Sequence, residues 1–373
     1  MVYEVAVIGT GAPENADGYA MAYRHAQGYE RLDGCELVAC ADIVRENALA
    51  FARTFDIDES GIYEDYEAML EEASPDVVSV CTPPKTHADI VIDCAESGLV
   101  DAIHCEKPMA ATWKECREMV AACDRHDVQL TFNHQRRFAA PYRKAKSMLD
   151  DGRIGTLRRI EIGGHDLFDY GTHLFDMCGY LTDQTPTEWV LAAVDCQDTE
   201  TLYGLHQETQ ALARWRYESG VDGLASTGED GMVRCELRLL GDDGVIEVGH
   251  EGGPPLRVRV DGAEWVDVDT GRDGIWRPGP HPFDRILERV PVGPDRLFSD
   301  PTYVDRAIAD VVDSLREGRP PELAAKNALQ TTEVIFACWE SARQGGRVDL
   351  PLDIDDNPLQ AMVEAEGTVS SNP

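Results

Sequence analysis

Two short segments of this 373-residue chain hold residues that could move a proton and steady a negative oxygen. Glu106-Lys107-Pro108 closes an apolar run, and Lys107 is one of only six lysines in the chain. An ammonium there can hydrogen-bond a hydroxyl and stabilise charge growing on its oxygen. The plainer alternative is a surface lysine paired with Glu106. Downstream, Asp169, His173 and Asp176 stand at i, i+4 and i+7, which predicts one shared helical face. An imidazole titrates near neutrality and can take a proton from an alcohol. A carboxylate one turn away can orient the ring or bind a neighbouring hydroxyl. The alternative here is a capping Asp169 with a hydrogen-bonded core His173, because buried polar groups need partners. His134, His165 and His206 stand alone and read as structural.

Such groups need a scaffold, and the first 133 residues supply one. Strand-like runs at Val5–Ile8, Glu36–Ala41, Val77–Cys81, Ala102–Cys105 and Gln129–Asn133 alternate with helical patterns. Those lie near Tyr19–Tyr29, Arg45–Phe55, Tyr66–Glu72, His87–Ser97 and Thr112–Arg125. Alternation with nearly continuous apolar strands predicts a parallel sheet covered on both faces. Lys107 then lies just past the carboxyl end of an inner strand, the edge where such sheets place ligands.

After the first strand comes Gly9-Thr10-Gly11-Ala12-Pro13. Glycines here let the backbone turn tightly against a pyrophosphate, which rests on the amides of the next helix. Glu14 stands where G-x-G-x-x-G has its third glycine, so the loop reads as lengthened, with Asp17 as cap and Gly18 at the helix start. Asp42 ends the second strand. An acid there accepts from a ribose and repels a 2′-phosphate, favouring NAD over NADP without excluding NADP. Its alternative role is to cap the helix that follows.

The pattern changes after Asn133. Arg136-Arg137-Phe138 reads as a basic patch, followed by a helix near Tyr142–Leu149, a strand at Leu157–Ile162 and the His173 helix. Strands such as Thr209–Tyr217, Val233–Leu240 and Val245–Val248 predict a largely antiparallel sheet. Residues 270–300 read as a long Gly/Pro-rich connection, and two helices at Tyr303–Arg316 and Ala324–Gln344 close the domain. The expected division is 1–134 for a Rossmann domain, 135–352 for an α+β substrate and oligomerisation domain, and 353–373 for a loosely attached acidic tail.

A net charge of −35 argues against nucleic acid and anionic membrane as partners. Acidity this strong, with so little lysine, resembles the surface of proteins from a salt-saturated cytoplasm. The start of the chain enters a strand directly, and no apolar run approaches the roughly 20 residues of a membrane helix. The expectation is a cytoplasmic protein. Eleven cysteines without a Cys-x-x-Cys pair support neither a disulfide framework nor a metal site.

With these residues in place the chain resembles the Gfo/Idh/MocA family, the glucose-fructose oxidoreductase and inositol dehydrogenase group. The matching pieces are the glycine turn, Ala41-Asp42, Thr82-Pro83-Pro84 with His87-Ala88, Glu106-Lys107-Pro108, Arg136-Arg137-Phe138, Asp169-x-Gly171-x-His173-x-x-Asp176 and the closing stretch Glu340–Leu352. The resemblance implies NAD(P)-dependent hydride transfer at a hydroxyl carbon of a sugar, sugar acid or cyclic polyol. It implies a homodimer or homotetramer. By this likeness Lys107 holds the reacting hydroxyl, His173 takes its proton, and Asp169 positions the substrate or the ring. Gly9, Thr10, Gly11, Ala12 and Asp42 would hold the cofactor, as would Thr82, Pro83, His87, Glu106 and Lys107. Two other readings stay open: an enzyme that keeps NAD bound and oxidises only transiently, and a cofactor-binding sensor without chemistry. The whole reading requires Lys107 and His173 to meet beside one dinucleotide.

Overall fold

The computed structural model describes residues 2–12, 21–196, 201–271, 273–274 and 301–370, with side chains to 365. Glu14, Asp17 and Gly18 of the lengthened loop, and most of the 270–300 connection, lie outside the described residues. The chain forms two compact units, Met1–Gln135 with Pro294–Leu329, and Arg136–Gly293 with Gln330–Pro373. The first unit therefore takes back a segment from late in the sequence. The reason is apolar burial: Ile308 and Val312 of the helix Tyr303–Glu317 join Tyr3, Val5, Tyr29 and Val77 in one core cluster. Gly28 lets this helix come close, since a Cβ there would meet Ile308 at 2.9 Å.

In the first unit β1 (Tyr3–Ile8), β2 (Cys35–Ala41), β3 (Ile62–Tyr63), β4 (Val77–Val80), β5 (Ala102–Cys105) and β6 (Gln129–Phe132) make one sheet, in the order β3-β2-β1-β4-β5-β6. Every adjacent pair is parallel. The connecting helices are α1 (Met21–Glu30), α2 (Arg45–Thr54), α3 (Tyr66–Ala73), α4 (Pro84–Glu96) and α5 (Trp113–His126). β4 and β5 are buried at all positions, as strands covered on both faces should be. β3, only two residues long, is the strand that apolar runs in the sequence do not announce. The strand order reverses direction at β1, with β2 on one side and β4 on the other, so the connections after β1 and β4 lead to opposite sides of the sheet order.

The second unit begins with α6 (Ala140–Asp150), β7 (Leu157–Ile162) and α7 (Gly171–Leu181). A nine-stranded sheet follows, running from the strand Val266–Asp267 at one edge to Val348–Asp349 at the other. All its pairs are antiparallel except β7 with Asp222–Thr227. Along Gln210–Tyr217 the side chains alternate: Ala211, Ala213, Trp215 and Tyr217 are buried, while Gln210, Leu212 and Arg214 are exposed. One face thus packs as core, with Trp215 against Phe175 of α7 at 5.1 Å between ring centroids. The opposite face carries a charged ladder, in which Arg238 bridges Glu161 at 2.9 Å and Glu247 at 2.7 Å.

Residues 353–370 depart from the expected loose tail. A helix, Pro358–Ser370, fully buries Leu359, and Gln360 exchanges hydrogen bonds with both main-chain groups of His206. Acidic composition masked this anchoring, which a few side chains supply: buried Leu359 and Asn357, Gln360, and Asp356 paired with Arg343.

Gly223 lies opposite Trp215 in the sheet register, and a Cβ at 223 would overlap the indole. Gly223→Ala should destabilise the protein by about 1–3 kcal/mol through overpacking, measured by urea unfolding. An unchanged midpoint would show that the indole is free to move aside.

Candidate functional site

In the first unit the carboxyl edge of the sheet collects the loops that the sequence singled out. Gly9 and Gly11 adopt positive φ of 84° and 70°. An added Cβ at Gly9 would meet the Thr82 methyl at 2.6 Å, so the turn after β1 and the loop after β4 touch where only a hydrogen fits. Asp42 follows β2, and its Oδ2 accepts from the Gly11 amide at 2.9 Å and the Thr10 hydroxyl at 3.0 Å. Its Oδ1 accepts from the Val44 amide at 2.9 Å. Asp42 therefore fixes the glycine turn and also holds the Val44 amide at the approach to α2, the second of the roles read for it. Ala12 and Pro83 border the same edge, partly buried and exposed respectively. This turn, at the reversal of strand order and with no side chain at Gly9 or Gly11, stands at the edge where parallel sheets of this kind receive a dinucleotide.

Lys107 is partly exposed and lies two residues past the end of β5, with a cis peptide bond to Pro108. The residues around it are held from two sides. His87 of α4 is fully buried, with Nδ1 3.0 Å from both the Pro108 and Met109 carbonyls and Nε2 2.8 Å from the Thr82 carbonyl. Burial lowers its pKa. His87 is thus a brace between two loops, with both ring nitrogens facing the protein's own carbonyls. Glu106 likewise turns inward. Its Oε1 accepts from His25 Nε2 at 2.9 Å and Asn133 Nδ2 at 2.6 Å. Burial pushes Glu106 up, but the hydrogen bond and charge of His25, with Asn133 and Lys107, outweigh it and hold the carboxyl at about 2.

In the second unit the predicted acid–imidazole–acid face is not one helical face. α7 starts at Gly171, so Asp169 precedes the helix on a turn that Asp166 organises. Asp166 Oδ1 accepts from the amides of Phe168 at 2.8 Å and Tyr170 at 3.0 Å. Gly171 permits this tight entry, because a Cβ there would strike the Asp166 carbonyl. Asp169 is partly exposed and His173 is 6% exposed. Asp176 faces the Arg137 guanidinium in a buried bidentate pair, at 2.7 and 2.6 Å.

The expected basic patch is buried for the same reason. Arg136 pairs with Glu236 at 3.0 Å and lies over the Tyr170 ring, 4.7 Å from its centroid. Glu236 also accepts from Tyr142 at 2.5 Å and from the Tyr170 hydroxyl. Sequence distance hid these partners, since Glu236 is 100 residues from Arg136. Glu208 is a further anchor that the sequence did not suggest. It is buried and accepts from the Leu167 amide at 2.5 Å and the Trp339 indole at 3.0 Å. It thereby secures the segment leading to Asp169. His165 is exposed, and its ring lies 5.4 Å from that of Tyr170.

Among the described residues no group of histidine, cysteine and acidic side chains could hold a metal, and all eleven cysteines are free thiols. No described helix is long and apolar enough to cross a membrane.

Comparison with known proteins matches both units. Residues 3–134 fit the GFO/IDH/MocA model described as an oxidoreductase family with an NAD-binding Rossmann fold, and residues 146–350 fit its C-terminal alpha/beta domain. The chain is 28% identical to D-apiose dehydrogenase of Paraburkholderia graminis, over 87% of this chain and 86% of that protein. It is also 28% identical to a D-xylose 1-dehydrogenase [NADP(+)] of Haloarcula marismortui, over 59% of this chain and 70% of the relative. Among solved structures, the WlbA dehydrogenase of Bordetella pertussis, bound to NADH and UDP-GlcNAcA, superposes with a TM-score of 0.71 at 22% identity, covering 95% of this chain.

Burial, and then the charge of Asp166, raise the Glu208 carboxyl to about 7, against the donors at Leu167 and Trp339. The unfolded chain releases this proton near 4.5, while the folded chain keeps it to about 7. Stability from this group is therefore complete below the lower value and declines as pH rises to the upper one. Relative to Glu208→Gln, the unfolding free energy of the wild type should fall across that window by up to roughly 3 kcal/mol. A difference between the two proteins that stays constant with pH would refute the account.

Proposed function

Because the chain belongs to the GFO/IDH/MocA oxidoreductase family, we propose that it is an NAD(P)-dependent dehydrogenase acting on a hydroxyl carbon of a sugar, sugar acid or cyclic polyol. The observation that carries this reading is the carboxyl edge of the first sheet, where the glycine turn, Asp42, the Thr82 loop and Lys107 gather. When bound, the nicotinamide accepts the hydride or returns it.

The chain's own residues then divide the remaining work. The backbone of Gly9, Thr10, Gly11 and Ala12 receives the pyrophosphate, with Thr82 and Pro83 beside it. The charge of Asp42 favours a free ribose hydroxyl over a 2′-phosphate, hence NAD over NADP. Lys107 holds the reacting hydroxyl and stabilises negative charge on its oxygen. His173 takes the hydroxyl proton, and Asp169, half-exposed on the turn before α7, positions the substrate or the ring. The buried pair Arg137–Asp176 keeps α7 in place rather than touching substrate.

Further readings accompany this one. The charge of −35 supports an acidic surface adapted to salt and speaks against nucleic acid or anionic membrane as partners. The free thiols support a reducing cytoplasm. The nine-stranded sheet, with Leu191 and Leu212 exposed on its outer face, supports a homodimer or homotetramer.

A screen of pentoses, hexoses, sugar acids and inositols with NAD and NADP, in molar KCl, should produce NADH absorbance with at least one carbohydrate. Lys107→Ala should lower turnover by roughly 100- to 1,000-fold while NAD still binds, and His173→Ala by roughly 100- to 10,000-fold. Full activity in Lys107→Ala would remove the role given to that residue. The salt reading has its own check: the melting temperature should rise steeply between dilute buffer and molar KCl, and equal values in both would end it.

A further inference from the structure

We propose that His25, Tyr29, Ser79 and Asn133 form a positioning relay that keeps the Glu106 carboxylate ionised and immobile, and that Glu106 in turn fixes Lys107 for the hydroxyl it binds. The inference rests on the role given to Lys107 above and adds four residues that no sequence motif marks.

The relay is continuous. Tyr29 OH meets Ser79 Oγ at 3.0 Å, Ser79 Oγ meets His25 Nδ1 at 3.2 Å, and His25 Nε2 meets Glu106 Oε1 at 2.9 Å. Asn133 Nδ2 donates to the same oxygen at 2.6 Å. Tyr29, Ser79, His25 and Asn133 are all fully buried. Three elements thus converge on one carboxylate: α1 through His25 and Tyr29, β4 through Ser79, and the end of β6 through Asn133. Ser79 is the single polar residue of β4, in a strand otherwise made of valine. An ionised carboxylate accepts only, so the Nε2 hydrogen points at Glu106 whether the ring is neutral or charged.

A core built for stability alone would gain as much from apolar side chains, because a buried charge carries a desolvation cost that its partners barely offset. Here the charge is retained one residue before Lys107, and its main chain is pinned too, with the Glu106 amide donating to the Val80 carbonyl at 2.9 Å. On the far side of the turn His87 holds the Pro108 and Met109 carbonyls. Lys107 thus stands between two braced stretches of the same turn. Other titratable groups facing Glu106 are Cys81, His87, His104 and Cys105. Burial pushes both thiols up and lowers His87, while burial and the charge of His25 take His104 down to about 3.

The test compares Glu106→Gln, His25→Gln and the double variant with wild type, using kcat and KM from pH 5 to 9, NAD binding by fluorescence quenching, and thermal melting. Glu106→Gln should lose about 100-fold in kcat, the scale of a misplaced reacting group, with NAD affinity within a few-fold of wild type. His25→Gln should move the acid limb of the kcat profile to higher pH, because loss of a donor lets burial raise Glu106. The double variant should match Glu106→Gln. Folded Glu106→Gln and His25→Gln proteins with the turnover and pH profile of wild type would overturn the relay. If Glu106→Gln does not fold, Tyr29→Phe and Ser79→Ala decide: an acid limb shifted upward supports the relay, and one matching wild type in both overturns it. Lys107→Ala assayed alongside separates the two claims. An inactive Lys107→Ala beside a fully active Glu106→Gln removes the relay alone, whereas an active Lys107→Ala removes the role of Lys107 itself.

Discussion

A carboxylate sealed from water must be met by donors wherever it lies, and this constraint organises both halves of the chain. Glu106 draws His25 and Asn133 to the turn that bears Lys107. Asp176 draws Arg137 onto the helix that bears His173. Glu236 ties together Arg136, Tyr142 and Tyr170 at the entry to that helix, and Glu208 holds the Leu167 amide just before it. Each segment with chemical capability leans on one buried acid. The apolar cores give the units their stability, while these acids set where the polar side chains stand.

The arrangement also separates side chains open to a ligand from side chains committed within the protein. Lys107 and Asp169 are partly exposed, so a ligand can reach them. His87, Asp176, Arg136 and Arg137 are buried and committed to partners within the protein. Asp42 belongs to both groups: it ties down the glycine turn through Thr10 and Gly11, yet it remains at the strand end where a ribose would approach. Sequence motifs mix these classes because an inward-facing brace and an exposed side chain can be neighbours in one short stretch, as Glu106 and Lys107 are.

Much of the fold was legible beforehand. Apolar runs bounded by helical patterns marked five strands of the parallel sheet, and strict alternation, as in Gln210–Tyr217, marked the antiparallel one. The short strand Ile62–Tyr63 was not legible, since two residues carry no period. Nor was the return of Tyr303–Glu317 to the first unit, which depends on apolar partners almost 300 residues earlier.

The glycine turn, Asp42, Lys107 and His173 were evident as residue types at telling positions, because local backbone needs and side-chain chemistry are written in short stretches of chain. The partners of the arginines at 136 and 137, the inward turn of Glu106 and the true start of α7 were decided only in three dimensions. A helical reading placed Asp169 with His173 by counting residues, but Asp166 bonded the amides of Phe168 and Tyr170 and delayed the helix to Gly171. Spacing along a chain predicts which side chains could share a face. Which buried charge meets which donor follows from packing between distant segments, and no local pattern encodes it.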